Sequence, residues 1–300
     1  MSLFHNTTPL GHLELLLSTK PDNTERAMSA SIGQFLRITG QSLRSARKAG
    51  RITQKHVLLF IRYMQSRGLA TETIRQRHYL LRTCFRSLLE AGLIEQNPFS
   101  PKLLSARQRV QVRPTKLISF DKVKLILGTP ALNTKEGIRD RAILALLFGA
   151  GLRRSEVSGL SLQDLTLPTV TLTRTKAGKV QTCILPDWAS DILEPHLAQR
   201  LSESGDTCPL FVRYYKDGTL GERLSDRAIY RLYSKSCKAA GLGHLAPHSA
   251  RATAITKLLV DGHDLLSVTE FSRHSSVQSM APYNKRANLI EKNIGSTLNY

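Results

Sequence analysis

The chain has 300 residues, 41% of them apolar, and its 43 Lys and Arg outnumber 23 Asp and Glu to leave a formal charge of +20. That length and apolar content supply one large or two ordinary cores and exclude both a disordered chain and a small disulfide scaffold. The charge excess attracts polyanions by counterion release and field focusing, so nucleic acid is the expected partner, ahead of a ribosomal or membrane surface with the same charge.

In chain order, the segment MSLFHNTTPLGHLELLLSTK has neither the basic start nor the small-residue cleavage site of a secretion signal. No apolar run anywhere approaches the ~18 to 20 residues of a membrane span, so a cytoplasmic protein with no membrane partner is expected. Three helices follow. The first is predicted over Thr24 to Leu43, with apolar positions at Met28, Ile32, Phe35, Leu36 and Leu43; the second over Thr53 to Ser66, with Val57, Leu58, Phe60, Ile61 and Met64, and Thr53 as N-cap. The third starts at Thr71, buries Ile74, His78, Leu81, Phe85, Leu88 and Leu89, and stops at Gly92, while Arg75, Arg77, Arg82 and Arg86 occupy its other faces.

Residues 1–113 hold 18 Lys and Arg against 6 Asp and Glu. With acidic residues nearly absent between Arg26 and Glu72, salt bridges within the helices cannot absorb this charge, and phosphate contact is favoured over a merely solvated face. Prolines at 98, 101 and 114 then break the chain. Arg107, Arg109, Arg113 and Lys116 make the intervening stretch a basic strap suited to a phosphate backbone. The expected division is a helical domain over 1–106, a basic linker over 107–116 and a second domain over 117–300.

That second domain reads as helices around a small β-sheet. Asp121 to Leu127 and Thr134 to Gly149 have helical periodicity, the latter almost wholly apolar from Ala142 to Phe148 and so a core helix, broken at Gly149 and Gly151. Between Leu165 and Pro186 the period changes to two around Lys176-Ala177-Gly178-Lys179, a β-hairpin with a basic tip. Helices are predicted again over Trp188 to Leu201, Ser225 to Ala240, Pro247 to Val260 and Leu265 to Arg273, with a last amphipathic piece containing Leu289, Ile290 and Ile294. Cys84, Cys183, Cys208 and Cys237 stand far apart with no CxxC or CxxH pair, and read as reduced, mostly buried thiols.

Three short boxes carry chemistry. GLRRSE places Arg153 and Arg154 between a glycine break and a new helix, near amides that favour anions; either alone reads as a surface charge, and Glu156 as an early-helix acid or the partner of an arginine. In PHSAR, Pro247 suits a first helical position and His248 and Arg251 project from one face, within reach of one phosphate. In SRHSSVQSMAPY, His274 precedes Tyr283 by nine positions and Ser275-Ser276 are placed to cap a short helix presenting the tyrosine. Each box is weak alone. Together they supply two arginines, two histidines and a phenol, the side chains expected of an enzyme that breaks a phosphodiester with a tyrosine nucleophile and no metal or other cofactor.

In these boxes the chain resembles the tyrosine recombinase, or phage integrase, superfamily, including its Xer-like members, and the resemblance covers nearly the whole length. GLRRSE matches the GLRxSE box, PHSAR the HxxR box, and the RH-to-Y interval the GH-to-Y spacing. The resemblance implies a mainly α protein with a small β-sheet, an N-terminal helical core-binding (SAM-like) domain and an α+β tyrosine recombinase catalytic domain with a C-terminal tail helix. It implies that Arg153, His248, Arg251 and His274 surround the scissile phosphate, that Tyr283 attacks it, and that Lys176 at the hairpin tip, with Lys179 as the reserve, protonates the leaving 5′ oxygen. It further implies a site-specific recombinase acting as a homotetramer on two DNA duplexes, with the tail exchanged between protomers and accessory proteins as possible partners. A catalytically silent DNA-binding relative and a topoisomerase IB-like enzyme are the competing readings. Two positions depart from the pattern: Ala252 follows Arg251 where His or Thr is frequent, and Arg273 stands where Gly usually precedes the histidine, which bears on the posture of His274.

Overall fold

The computed structural model describes residues 8–104, 116–173, 180–203, 208–215, 217–274 and 276–284. The chain divides into two compact units, Met1–Arg113 and Pro114–Tyr300.

The first unit is helical: α1 (Pro9–Ser18), α2 (Asp22–Thr39), α3 (Ala46–Ala49), α4 (Gln54–Ser66) and α5 (Thr71–Glu90). Helix α1 was not among the predicted elements, although Thr8 caps it by accepting the Gly11 amide at 3.1 Å and Pro9 occupies its first turn. Helix α2 ends four residues before the predicted Leu43, because Gly40 at φ 65° turns the chain into the left-handed region. Leu43 is nonetheless buried, from the loop. The core is built on rings: Phe35 meets Phe60, Phe85 and Phe99 edge-on at centroid separations of 5.5, 6.1 and 5.1 Å. His78 is buried against Phe99 as the periodicity predicts. Burial, then Arg82, hold its pKa down at about 4.

The second unit mixes helices with two small antiparallel sheets. It runs α6 (Phe120–Leu127), α7 (Lys135–Gly149), α8 (Arg154–Gly159), β1 (Leu165–Thr166), β2 (Thr169–Leu172), β3 (Gln181–Ile184), α9 (Asp187–Glu203), β4 (Val212–Tyr214), β5 (Leu220–Arg223), α10 (Asp226–Ala239), α11 (His248–Val260) and α12 (Leu265–Ser272). Strands β1, β2 and β3 form one sheet in chain order, with Val170 opposite Cys183 and Leu172 opposite Gln181, so the predicted hairpin exists and gains a third strand. Its tip, with Lys176 and Lys179, lies outside the described residues, as do Arg107, Arg109, Arg113, Ser275, Leu289, Ile290 and Ile294. Strands β4 and β5 were not anticipated.

Helix α7 is the axis of this unit. From Ala142 to Leu147 it is buried on every face, packed against α9 and α11, as its unbroken apolar run predicts. A Cβ on Gly149 would stand 2.9 Å from that of Ala189, so the end of α7 approaches α9 to a distance that only glycine permits. Two residues later Gly151, at φ 55°, reverses the chain toward α8 and brings Arg153 to the start of that helix.

Candidate active site

Four elements end at one place. The α7–α8 corner supplies Arg153, the first turn of α11 supplies His248 and Arg251, the C-cap of α12 leads into His274, and helical residues 281–284 supply Tyr283. Pro247, expected as the first helical residue, is instead the N-cap of α11, which begins at His248. The start of that helix is pinned by Ser249, whose hydroxyl lies 2.8 Å from that of Tyr233 on α10. Ser276 precedes a 3₁₀ turn over Val277–Met280, but its side chain makes no capping bond, contrary to the expectation. The tyrosine is instead oriented by packing: its ring is buried with Ala252, Ile255, Val268 and Met280.

The phenol oxygen of Tyr283 lies 3.2 Å from Nε2 of His248, and its ring centroid 5.8 Å from that of His274. Partial desolvation, then the guanidiniums of Arg251 and Arg153, pull the His248 pKa below its ordinary value. The ring is therefore neutral at pH 7 and able to accept a proton. His274, desolvated and facing Arg251 and Arg153, has its pKa held down at about 4, and its Nδ1 lies 2.6 Å from the Ser272 hydroxyl. Such a contact fixes the ring and leaves Nε2 for another partner.

The two arginines are held differently. Arg251 is 1% exposed and donates from Nη1 to the Gly151 carbonyl at 2.6 Å and from Nη2 to the Ser272 carbonyl. Burial, then repulsion from Arg153 and Arg273, lower its pKa to about 10, which still leaves it charged at pH 7. Arg153 is half-buried: Glu156 accepts its main-chain N–H at 2.7 Å and Nη1 at 2.6 Å, and the Arg273 carbonyl accepts Nη2 at 3.1 Å. Burial alone would raise the Glu156 pKa, but Arg273 and Arg153 lower it below the ordinary carboxylate value. Glu156 is thus the partner of an arginine, one of the two roles its position allowed.

Arg154, the alternative within the same box, is paired with Asp226 at 2.8 Å and lies over the Tyr230 ring, on the wall of the pocket that Arg153 also lines. Leu152, Arg153, Ser155, Pro247, His248 and Arg251 line an open pocket of about 290 Å³. It presents guanidinium and imidazole groups to a bound anion, and His248 on its wall is also the neighbour of the Tyr283 phenol, which does not itself line the pocket.

A model of the phage integrase family matches residues 116–289, more than half of the chain. The chain belongs to the phage integrase family of tyrosine recombinases. As a member it is an enzyme of DNA strand breakage and rejoining. Over 276 residues it is 29% identical to a tyrosine recombinase XerC of Pelobacter propionicus, covering 91% of this chain and 87% of the relative. A second XerC, from Thermodesulfovibrio yellowstonii, is 31% identical over 232 residues, 75% of this chain and 74% of the relative. In fold, this recombinase is similar to XerH, a site-specific recombinase solved bound to its palindromic difH substrate after cleavage, with a TM-score of 0.70, 18% identity and coverage of 91% of this chain and 79% of that one.

Of the expected DNA-contacting arginines within the described residues, Arg75 and Arg86 are exposed, Arg82 is half-buried and Arg77 is tied to Gln34. The boxes did not reveal Ser272, whose hydroxyl holds His274, or the inward turn of Arg273. The only signal for the second was an arginine where the family's glycine usually stands.

Proposed function

We propose that this recombinase acts site-specifically, cleaving and rejoining DNA through a 3′-phosphotyrosyl intermediate, in integration, excision or multimer resolution. In this reading Tyr283 Oη attacks the scissile phosphorus while its proton passes to His248 Nε2, and Arg153, Arg251 and His274 meet the charge that develops on the phosphate oxygens. The bond from phosphorus to the 5′ oxygen breaks, and Lys176, with Lys179 as the reserve, protonates that oxygen. The ester energy is retained in the phosphotyrosine, so attack by a 5′ hydroxyl of another strand reverses the step without ATP.

The observation that carries the reading is the 3.2 Å approach of the Tyr283 hydroxyl to a histidine of depressed pKa, beside two fixed guanidiniums. The DNA partner is a duplex recombination site, and the protein a cytoplasmic homotetramer on two such duplexes. Its tail past Tyr283 is exchanged between protomers, each tail offering Leu289, Ile290 and Ile294. An apolar groove of about 490 Å³ on the catalytic unit, bordered by Phe120, Val123, Leu127, Phe148, Trp188 and Ile192, is the receiving surface in this reading.

A nicked suicide duplex tests the chemistry. The wild-type chain should accumulate a covalent adduct that maps to Tyr283, and Tyr283→Phe should bind the same duplex and form none. An adduct from the Phe variant would assign the nucleophile elsewhere. Deleting residues 288–300 should leave single-site binding intact and weaken cooperative binding and strand exchange; a truncated chain with full recombination would remove the exchanged tail.

A further inference from the structure

Arg273 closes α12 at φ 54° and ψ 42°, the only non-glycine at positive φ among the described residues. A glycine is the residue this backbone favours, and an arginine at the end of a helix ordinarily turns to solvent. This one turns inward. Its side chain is 3% exposed and its buried Nε has no hydrogen-bond partner, so the position carries backbone strain and an unpaired donor that glycine would remove.

Its contacts converge on the two clamp arginines. The guanidinium lies 3.4 Å from Oε2 of Glu156, the carboxylate whose Oε1 holds Arg153 and whose Oε2 accepts the Arg153 N–H. It donates at 3.3 Å to the carbonyls of Ala150 and Gly151, and the second of these also accepts Arg251 at 2.6 Å. A further bond to the Phe271 carbonyl at 2.8 Å folds the side chain back on its own helix. The Arg273 carbonyl, in turn, accepts Arg153. Two chain corners 117 to 123 positions apart, one before Arg153 and one before His274, are thereby joined through a single side chain.

We propose that Arg273 is a positioning residue that sets Arg153 and Arg251 for the phosphate, acting through the Glu156 carboxylate and the Ala150–Gly151 main chain. Too little of it is exposed to meet DNA directly. A lone carboxylate under Arg153 can swing with it; with Oε2 also held by Arg273, Glu156 becomes a fixed platform, and the donor that Arg153 presents is preorganised. Arg273 also brings a positive charge to within the field of His274, reinforcing its neutral state.

The inference rests on the catalytic reading of Tyr283, Arg153 and Arg251, and the test separates the two. Single-turnover adduct formation on the nicked duplex is compared for the full-length wild type, Arg273→Gly, Arg273→Lys, Glu156→Gln and Arg273→Gly with Glu156→Gln. Arg273→Gly relieves the backbone and should bind DNA within about threefold of wild type, yet form adduct at least tenfold more slowly. Arg273→Lys keeps a cation near Glu156 and should recover part of the rate. The double variant should be no slower than the slower single one, because both act on one path.

An adduct rate for Arg273→Gly within twofold of wild type, or single-variant losses that multiply in the double variant, would overturn the positioning role. A wild type that forms no adduct at all would overturn the catalytic reading instead. Thermal unfolding without DNA then decides the positioning alone: Tm shifts of Arg273→Gly and Arg153→Ala that fail to add support it, and shifts that add overturn it. The His274 ring, titrated by NMR in the same DNA-free samples, should protonate at higher pH in Arg273→Gly, and an unmoved titration would also count against the inference.

Discussion

The two units use arginine in opposite ways. On α5, Arg75 and Arg86 stand on an exposed helix face, whereas Arg251 and Arg273 of the catalytic unit are buried and bonded to main-chain carbonyls 21 to 123 positions away. Exposed cations attract a polyanion from any direction and keep their freedom to adjust. Buried ones meet charge at one point, with no reorganisation left to do when it develops. Under the proposed function, binding strength and chemical rate are assigned to different arginines, and a substitution reveals which kind it has touched.

The largest effect is expected at the buried end. Arg251→Ala removes charge-assisted donors to the phosphate and leaves the Gly151 and Ser272 carbonyls without that donor; adduct formation should fall ~100-fold or more, roughly 2.7 to 4 kcal/mol, with a measurable loss of Tm. Arg153→Ala should lose a similar factor in rate with less loss of Tm, since Arg153 is half-exposed. Near-normal cleavage by either variant would return that arginine to the solvated class.

A smaller effect compares the interiors of the two units. His196 in α9 is fully buried, stacked on Phe211 with Nε2 bonded to the Leu210 carbonyl, and burial holds its pKa at about 4. Above pH 6.5 neither the folded nor the unfolded chain protonates it, so it contributes no pH dependence there. As pH falls from 6.5 toward 4 only the unfolded chain takes up the proton, and the folded state loses stability, by about 2 kcal/mol at pH 5. His78 should act likewise in the helical unit. Chemical denaturation at pH 7 and pH 5 checks this, and His196→Gln should flatten the catalytic unit's share of the dependence while leaving the other unit's intact.

The smallest effect is on the exposed face. Arg75→Ala and Arg86→Ala should each weaken DNA binding a few-fold, reduce the slope of log K against log salt by about 0.9 for each phosphate no longer neutralised, and leave the adduct rate at saturating protein unchanged. A change in rate without a change in salt slope would dissolve the division between the two kinds of arginine.

Much of this was legible in the chain. Helices α4 and α5 are long and periodic and α7 carries an unbroken apolar run, and burial follows most of the predicted positions; Leu58 and Leu89, at the edges of their apolar stripes, are exposed instead. Strands β4 and β5, three and four residues long with a register shift between Val212 and Tyr214, carry too little alternation to read. At the site, the boxes named the side chains that converge, because each spans only a helix turn or a short corner. What ties the boxes together was illegible for the opposite reason. The pairing of Arg273 with Glu156 joins residues far apart in sequence, and it requires a backbone conformation that an arginine gives no reason to expect.

Helix α11 offers a last consequence. Its first turn carries His248 and Arg251, Thr253 accepts the Ile118 amide at 3.0 Å, and Thr253, Ala254 and Lys257 form one wall of the apolar groove. From His248 to Lys257 is nine residues, roughly 13 Å along a rod that does not bend easily. The groove wall and His248 are thus joined by main chain alone, without any relay of side chains. Under the proposed function, the general base and the groove wall belong to one stiff helix, so that a small shift of that helix is felt at both.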